Sequence, residues 1–163
     1  MNKNLFSELA IQKSTMSGEL NDQMSPRLQS WFALLGGFTH IERDLRQALR
    51  ESHNCSLPRF DILTAMMAGK EGLSMTSLAD KMCVTKGAIT GVVKSLMEQG
   101  LLTREALSTD KRVQVVRITK PGERLWQEMF RVYELVVENN LSQLSTTEVE
   151  TITRLLRSLQ PAD

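Results

Sequence analysis

The sequence predicts a mainly α-helical chain with one small β-hairpin. Only 5% of its 163 residues are aromatic, and long stretches without glycine or proline leave room for several helices. Apolar residues recur at steps of three and four along much of the chain, whereas two short segments with strand composition lie close together within residues 101–118. The length suits one compact domain or two small lobes.

The first strong helical pattern begins at Trp31. Residues 1–26 form a polar N-terminal arm with weak periodicity, in which Pro26 breaks or restarts the chain. A helix of about five or six turns is predicted next, because apolar residues fall on one stripe there. The stripe consists of Trp31, Leu34, Phe38, Ile41, Leu45 and Ala48. After a loop, Pro58 is predicted to lie in the first turn of a second helix.

Two short helices joined by a tight turn are predicted next. Ser74 begins a helix over residues 75–82, and Thr85 begins another over residues 86–98, because both hydroxyls can accept a backbone N–H as N-caps. Cys83 lies in the turn, on what we expect to be its apolar side.

A hairpin is predicted to follow the second of these helices. Gly100 ends the helix, and strand-forming residues predict strands over residues 101–105 and 113–118 around a polar loop, residues 106–112. The order helix, helix, turn, helix, hairpin is that of a winged helix-turn-helix, which we assign to residues 53–120.

Two amphipathic helices are predicted for the last part of the chain. Thr119 and Pro121 begin the first of them, and Ser145 with Glu148 forms a capping box that begins the second. Their apolar stripes contain Leu125, Trp126, Met129, Phe130, Tyr133, Val136, Val137 and Leu141, and then Val149, Ile152, Leu155, Leu156 and Leu159.

Charge is distributed unevenly along a chain whose net charge is only +1. Residues 73–120 carry eight basic and four acidic side chains, a net charge of +4, and the rest of the chain carries −3. This asymmetry is expected when one surface meets phosphate, although a charge cluster also occurs as an ordinary solvated face.

The predicted helix over residues 86–98 has two distinct sides. Helical spacing turns Ile89, Val92, Val93 and Leu96 inward and leaves Lys86, Gly87, Thr90, Gly91 and Lys94 outward. The outward side is thin, cationic and hydroxylated, so it can enter a DNA major groove about 12 Å wide.

Residues 57–125 resemble the MarR family of transcription regulators. The resemblance rests on the order and spacing of Leu57-Pro58-Arg59-Phe60-Asp61-Ile62-Leu63, Leu78-Ala79-Asp80-Lys81-Met82, Val84-Thr85-Lys86-Gly87-Ala88-Ile89-Thr90, Gly100-Leu101-Leu102, Asp110-Lys111-Arg112 and Ile118-Thr119-Lys120-Pro121-Gly122. It implies a sequence-specific DNA-binding repressor that a small-molecule effector releases from a palindromic operator.

The resemblance also implies which residues meet DNA, within residues 73–124. The helix over residues 86–98 would read the major groove, and Arg112 in the wing would reach the minor groove, oriented by Asp110. The candidate DNA-binding residues are Ser74, Thr85, Lys86, Gly87, Ala88, Thr90, Gly91, Lys94, Asp110, Lys111 and Arg112. Gly87 and Gly91 depart from the family pattern, so they mark either close backbone approach to DNA or merely tolerated sequence drift.

A homodimer and an effector are the partners that the resemblance implies. The dimer would be built from residues 27–52 and 121–163, although their stripes could instead pack on one another within one chain. The effector would be a small, often aromatic anion, and its pocket could be lined by Phe38, Met66, Met67, Trp126 and Phe130. The same side chains could equally be plain core.

Other function classes receive less support. The chain has no Gly-rich phosphate loop and no HExxH or GxSxG motif, so we expect no enzyme, cofactor or metal site. Cys55 and Cys83 leave a thiol-based redox regulator open, and the two glycines leave open an interaction module that has lost DNA binding. Without a membrane-length apolar run or a signal-peptide core, we expect a cytoplasmic protein.

Overall fold

A computed structural model describes residues 24–69, 71–106 and 114–159, and these residues form six helices and one two-stranded antiparallel sheet. In chain order the elements are α1 Pro26–His53, α2 Leu57–Ala68, α3 Met75–Lys81, α4 Lys86–Glu98, β1 Leu102–Ala106, β2 Gln114–Ile118, α5 Lys120–Leu141 and α6 Thr146–Arg157. The predicted fold class, mainly helical with a hairpin wing, is confirmed. No helix in these described ranges combines the length and the hydropathy that crossing a membrane requires.

Helix α1 begins five residues before the start that the apolar stripe predicted, and its 28 residues exceed the predicted length. Proline fits the first turn of a helix because its missing N–H needs no partner there. The Ser25 hydroxyl accepts the Leu28 N–H at 3.3 Å, which satisfies one of the free donors at this end. Leu28 is the single residue of this turn on the apolar stripe, three residues before Trp31, so the stripe begins one turn earlier than predicted.

The predicted caps of the later helices are confirmed. Ser74 and Thr85 accept backbone N–H groups as the N-caps of α3 and α4, and Ser145 and Glu148 form the capping box of α6. The bonds from Ser145 hold the pKa of Glu148 below its ordinary value. Gly100 follows α4 with φ +70°, a conformation that favours glycine.

The hairpin joins β1 and β2 in a regular antiparallel register. Leu102 lies opposite Ile118, and Leu73 adds an isolated bridge to Val116. Val115 and Val116 are both buried, which explains why strict alternation fails in this strand. β1 begins one residue later than predicted. Val113, the predicted start of β2, lies outside the described residues, as does the predicted loop except for Ala106.

The chain divides into two compact units. The winged unit is Arg46–Glu134, and the helical unit is Met1–Leu45 with Leu135–Asp163. In the winged unit, side chains from its helices and both strands form a hydrophobic core. Its fully buried members include Leu49, Ile62, Leu63, Met66, Leu78, Val93, Leu96, Val116 and Met129.

The helical unit buries far less apolar surface. Within the described residues, nine large hydrophobic side chains are exposed, and all nine lie in this unit: Leu28, Trp31, Leu34, Phe38, Leu135, Ile152, Leu155, Leu156 and Leu159. Asn140 on α5 donates a hydrogen bond to Asp44 on α1 at 3.4 Å. A hydrogen bond from Arg43 holds the pKa of Asp44 below its usual value.

Candidate nucleic-acid interface

Helices α3 and α4 are joined by a turn held by backbone hydrogen bonds. The Cys83 N–H donates to the Asp80 carbonyl, and the Val84 N–H donates to the Ala79 carbonyl, both at 3.0 Å. Cys83 has φ +52°, and its side chain is exposed. The expectation that Cys83 lies on the apolar side of the turn is wrong, because the left-handed backbone turns this residue outward.

Helix α4 has the two sides that its sequence predicts. Ile89, Val93 and Leu96 are buried against the rest of the winged unit, and Val92 is half-buried. The predicted outward residues are all exposed: Lys86, Gly87, Thr90, Gly91 and Lys94. Ala88 and the N-cap Thr85 are exposed as well. The fold therefore brings most of the candidate residues onto one solvent-facing surface, which we call the α4 face.

The polar groups of the α4 face are free to meet an external partner. The Thr90 hydroxyl donates to the Lys86 carbonyl at 2.8 Å, so its oxygen can still accept a hydrogen bond. Lys94 lies 3.9 Å from Glu98, an exposed ion pair that contributes little and can exchange for a phosphate. The positive end of the α4 dipole lies beside Lys86.

Gly87 and Gly91 leave open space on the α4 face. A Cβ built at either position meets no atom within 4 Å. Packing within the chain therefore does not require glycine here, and the two positions present bare helix backbone to whatever approaches. Ser74 lies away from this pattern, since its hydroxyl caps α3 and contacts the Ser77 hydroxyl at 2.9 Å.

A shallow groove of about 510 Å³ runs between α4 and the wing. Thr90, Lys94 and Glu98 line its α4 side, and Arg104 on β1 lines its wing side. Arg104 is exposed and was not among the predicted contact residues; its place on a strand next to α4 is the signal that points to it. Asp110, Lys111 and Arg112 lie outside the described residues.

A second groove, of about 530 Å³, lies within the winged unit between α2, α3 and α5. Phe60 stacks on Tyr133 with ring centroids 5.0 Å apart, and Trp126 stacks on Phe130 at 4.9 Å. Burial, aided by the charge of Asp61, raises the pKa of Tyr133. Lys81 also lines the groove and supplies a positive charge beside the rings.

The five side chains predicted to line an effector pocket do not all line one cavity in the structure. Phe130 lines this aromatic groove, and Trp126 stacks on Phe130 and donates a hydrogen bond to the Thr64 hydroxyl at 2.9 Å. Met66 is core, whereas Phe38 is exposed in the helical unit. Met67 is half-buried. Helical periodicity identified apolar faces but not which of them meets a cavity.

The cysteines have different environments. Cys55 is buried, and burial raises the pKa of its thiol although the nearby Arg59 charge favours the thiolate. Cys83 is exposed. In the described ranges, no three histidine, cysteine or acidic side chains come together in a group that could hold a metal ion.

Comparison with known proteins identifies the family. The MarR family profile matches residues 56–113. The regulator MhqR of Bacillus subtilis is 31% identical over 105 residues, which cover 64% of this chain and 72% of MhqR. This chain belongs to the MarR family. It is accordingly a DNA-binding, winged-helix transcriptional regulator.

Solved MarR-type structures share the fold. CouR from Rhodococcus jostii RHA1, bound to p-coumaroyl-CoA, has a TM-score of 0.72 at 20% identity and covers 90% of this chain and all of CouR. A mutant of E. coli MarR complexed with operator DNA has a TM-score of 0.67 at 21% identity, covering 77% of this chain and 89% of MarR. At these identities the likeness concerns the fold alone.

Proposed function

We propose that this protein is a homodimeric, sequence-specific repressor that reads a palindromic operator with its α4 face. The observation that carries the proposal is the pairing of an aliphatic buried side of α4 with an exposed side of cations, one hydroxyl and bare backbone. A helix of this form fits the major groove, where base edges differ for every base pair.

Different residues of the α4 face contact phosphates and base edges. Lys86 and Lys94 neutralise phosphates at the two ends of the exposed stripe, while the Thr90 oxygen lies between them and accepts from a base edge. Gly87 and Gly91 let the helix backbone approach the groove floor closely, because no side chain extends from them. Thr85 and Ala88 flank this stripe, and Ser74 remains a candidate contact at the N-terminus of α3.

The wing completes the DNA contact. Arg112 enters the minor groove with Asp110 orienting it and Lys111 on the backbone, a role that rests on the family motif at these positions. Arg104 adds a phosphate contact from β1, since it is exposed across the groove from Lys94.

Dimerisation follows from the helical unit. Nine exposed large hydrophobic side chains, eight on α1, α5 and α6 and Leu159 just after α6, form more apolar surface than a soluble monomer ordinarily shows. A two-fold dimer buries this surface against its own copy and presents two α4 faces to half-sites about one helical turn apart.

A small aromatic effector binds the aromatic groove and releases DNA. The stacked rings of Phe60, Tyr133 and Phe130 provide a flat apolar wall, and Lys81 gives an anionic substituent a partner. Burial of the Cys55 thiol, which raises its pKa, argues against that thiol as the sensing element.

Selection of bound duplexes from a random pool tests the proposal directly. We expect a palindromic consensus whose affinity falls steeply as salt rises, because phosphate contacts release counterions. Recovery of no consensus, with equal affinity for selected and random duplexes at low salt, would support the interaction module and contradict sequence-specific regulation.

Single substitutions then assign the contacts on the selected duplex. Arg112→Ala should weaken binding by about 1–3 kcal/mol, whereas Lys94→Ala should weaken all duplexes alike and reduce the salt slope by about one. Glu150→Ala on the polar side of α6 is the matched surface control and should leave both quantities unchanged.

Titration of the complex with small aromatic acids tests the effector site. Release of the duplex is expected, and Phe130→Ala should raise the concentration needed by roughly tenfold because one stacked ring is lost. If Phe130→Ala responds as the wild type does, the effector binds elsewhere.

A further inference from the structure

A side chain on α2 holds the reading helix from its flank. Arg59 Nη1 donates to Ser95 Oγ at 3.3 Å, and Arg59 Nη2 donates to Gln99 Oε1 at 2.5 Å. Gln99 Nε2 also donates to Ser95 Oγ at 3.2 Å, so the three side chains form one network. The network joins residues 36 and 40 positions apart in the sequence.

The network lies next to the α4 face and apart from the buried side. Ser95 follows Gly91 by four residues, so it continues the same side of the helix one turn later. Gln99 is the C-cap of α4, one further turn along. The buried contacts of Ile89, Val93 and Leu96 are aliphatic and therefore non-directional. Hydrogen bonds from a planar guanidinium add the directional restraint that those contacts lack.

A contribution to the stability of the fold does not by itself explain why an arginine occupies position 59. The side chain is half-buried, and its Nε is buried without a hydrogen-bond partner among the described residues. A buried donor left unpaired costs free energy, and apolar residues can replace partly buried charges at little cost or with a gain. Arg59 therefore contributes more to the orientation of α4 than to the stability of the fold.

We propose that Arg59 is a positioning residue for DNA reading, which fixes the rotation and tilt of α4 through Ser95 and Gln99. Base-edge contacts require side chains placed within about 0.5 Å, whereas phosphate contacts tolerate more freedom. Loss of Arg59 therefore reduces discrimination between sequences without removing a DNA contact. This inference rests on the proposed reading role of the α4 face.

The test compares Arg59→Met with the wild-type protein on the selected duplex and on a scrambled duplex of equal composition. Affinity for the selected duplex is expected to fall by roughly tenfold, the effect of one charged hydrogen bond, while affinity for the scrambled duplex changes by less than about twofold. The salt slope and the dimer should be unchanged, and the melting temperature should be equal or higher.

Matched variants separate geometry from charge. Arg131→Met removes an exposed cation from α5 of the same unit and should leave the ratio of the two affinities unchanged. Arg59→Lys keeps the charge without the fork and should restore only part of the ratio. Gln99→Met removes the acceptor at constant charge and should reproduce the loss, and Arg59→Met with Gln99→Met should lose no more than either alone.

Three results would overturn the proposal. An unchanged ratio in Arg59→Met means that α4 needs no such restraint. A salt slope lower by about one means that Arg59 contacts phosphate itself. Losses that add in the double variant mean that the two residues act separately. Failure of the wild-type protein to prefer the selected duplex contradicts the reading role, whatever the variants do.

Discussion

The winged unit and the helical unit use their hydrophobic residues differently. In the winged unit, aliphatic side chains from α2, α3, α4 and both strands are fully enclosed by one another. In the helical unit, Trp31, Phe38 and the apolar stripe of α6 remain exposed, although the amphipathic patterns are equally regular. A regular apolar stripe thus predicts a buried face without saying which molecule buries it.

The sharpest test of this contrast is truncation of one leucine in each unit. Leu63→Ala should lower the free energy of unfolding by about 2–5 kcal/mol, because a fully buried side chain leaves a cavity. Leu155→Ala should cost the isolated protomer less than about 0.5 kcal/mol, because Leu155 is half exposed there. Urea unfolding at several protein concentrations measures both. Equal losses at low concentration would mean that the helical unit has a closed core of its own.

A charge placed in the exposed stripe tests what covers it. Leu155→Arg is expected to shift the protein to monomers and to weaken binding of the palindromic duplex by more than about tenfold, because half of the contacts are lost. Glu150→Arg, on the opposite side of α6, should do neither. Sedimentation and a mobility-shift titration give the two readouts, and a Leu155→Arg dimer would place the interface elsewhere.

Alanine substitutions at two glycines of the winged unit should have smaller and opposite effects on the free energy of unfolding. Gly91→Ala should raise the free energy of unfolding by about 0.5–1 kcal/mol, since its Cβ meets no neighbour and alanine favours helix. Gly122→Ala should lower it, because a Cβ there would overlap the Leu101 carbonyl oxygen. Thermal melting compares them. If Gly91→Ala also weakens DNA binding, the backbone at this position lies close to the duplex.

Local patterns predicted much of this molecule. Several features depend only on residues within one or two helical turns, so the local sequence predicts them. They are the caps at Ser74, Thr85 and Ser145, the C′ glycine Gly100 and the two sides of α4. The exposed candidate residues of α4 follow from the same periodicity.

Features that depend on distant partners escaped prediction. The bonds from Arg59 to α4 cross more than thirty residues of sequence, and the stacking of Trp126 on Phe130 opens onto a groove that only packing creates. The early start of α1 escaped because its first turn holds a single apolar residue on the stripe, Leu28, among polar neighbours. The outward Cys83 escaped because a left-handed residue reverses the side that helical spacing implies.

At Gly122, the first turn of α5 packs so closely on the Leu101 carbonyl oxygen that no side chain fits between them. The Thr119 hydroxyl donates to the Gly100 carbonyl at 2.6 Å and accepts the Gly122 N–H at 3.2 Å, and Gly100 immediately follows the C-cap of α4. These two hydrogen bonds connect the end of α4 to the first turn of α5. A displacement of that first turn is therefore expected to move the end of α4 with it.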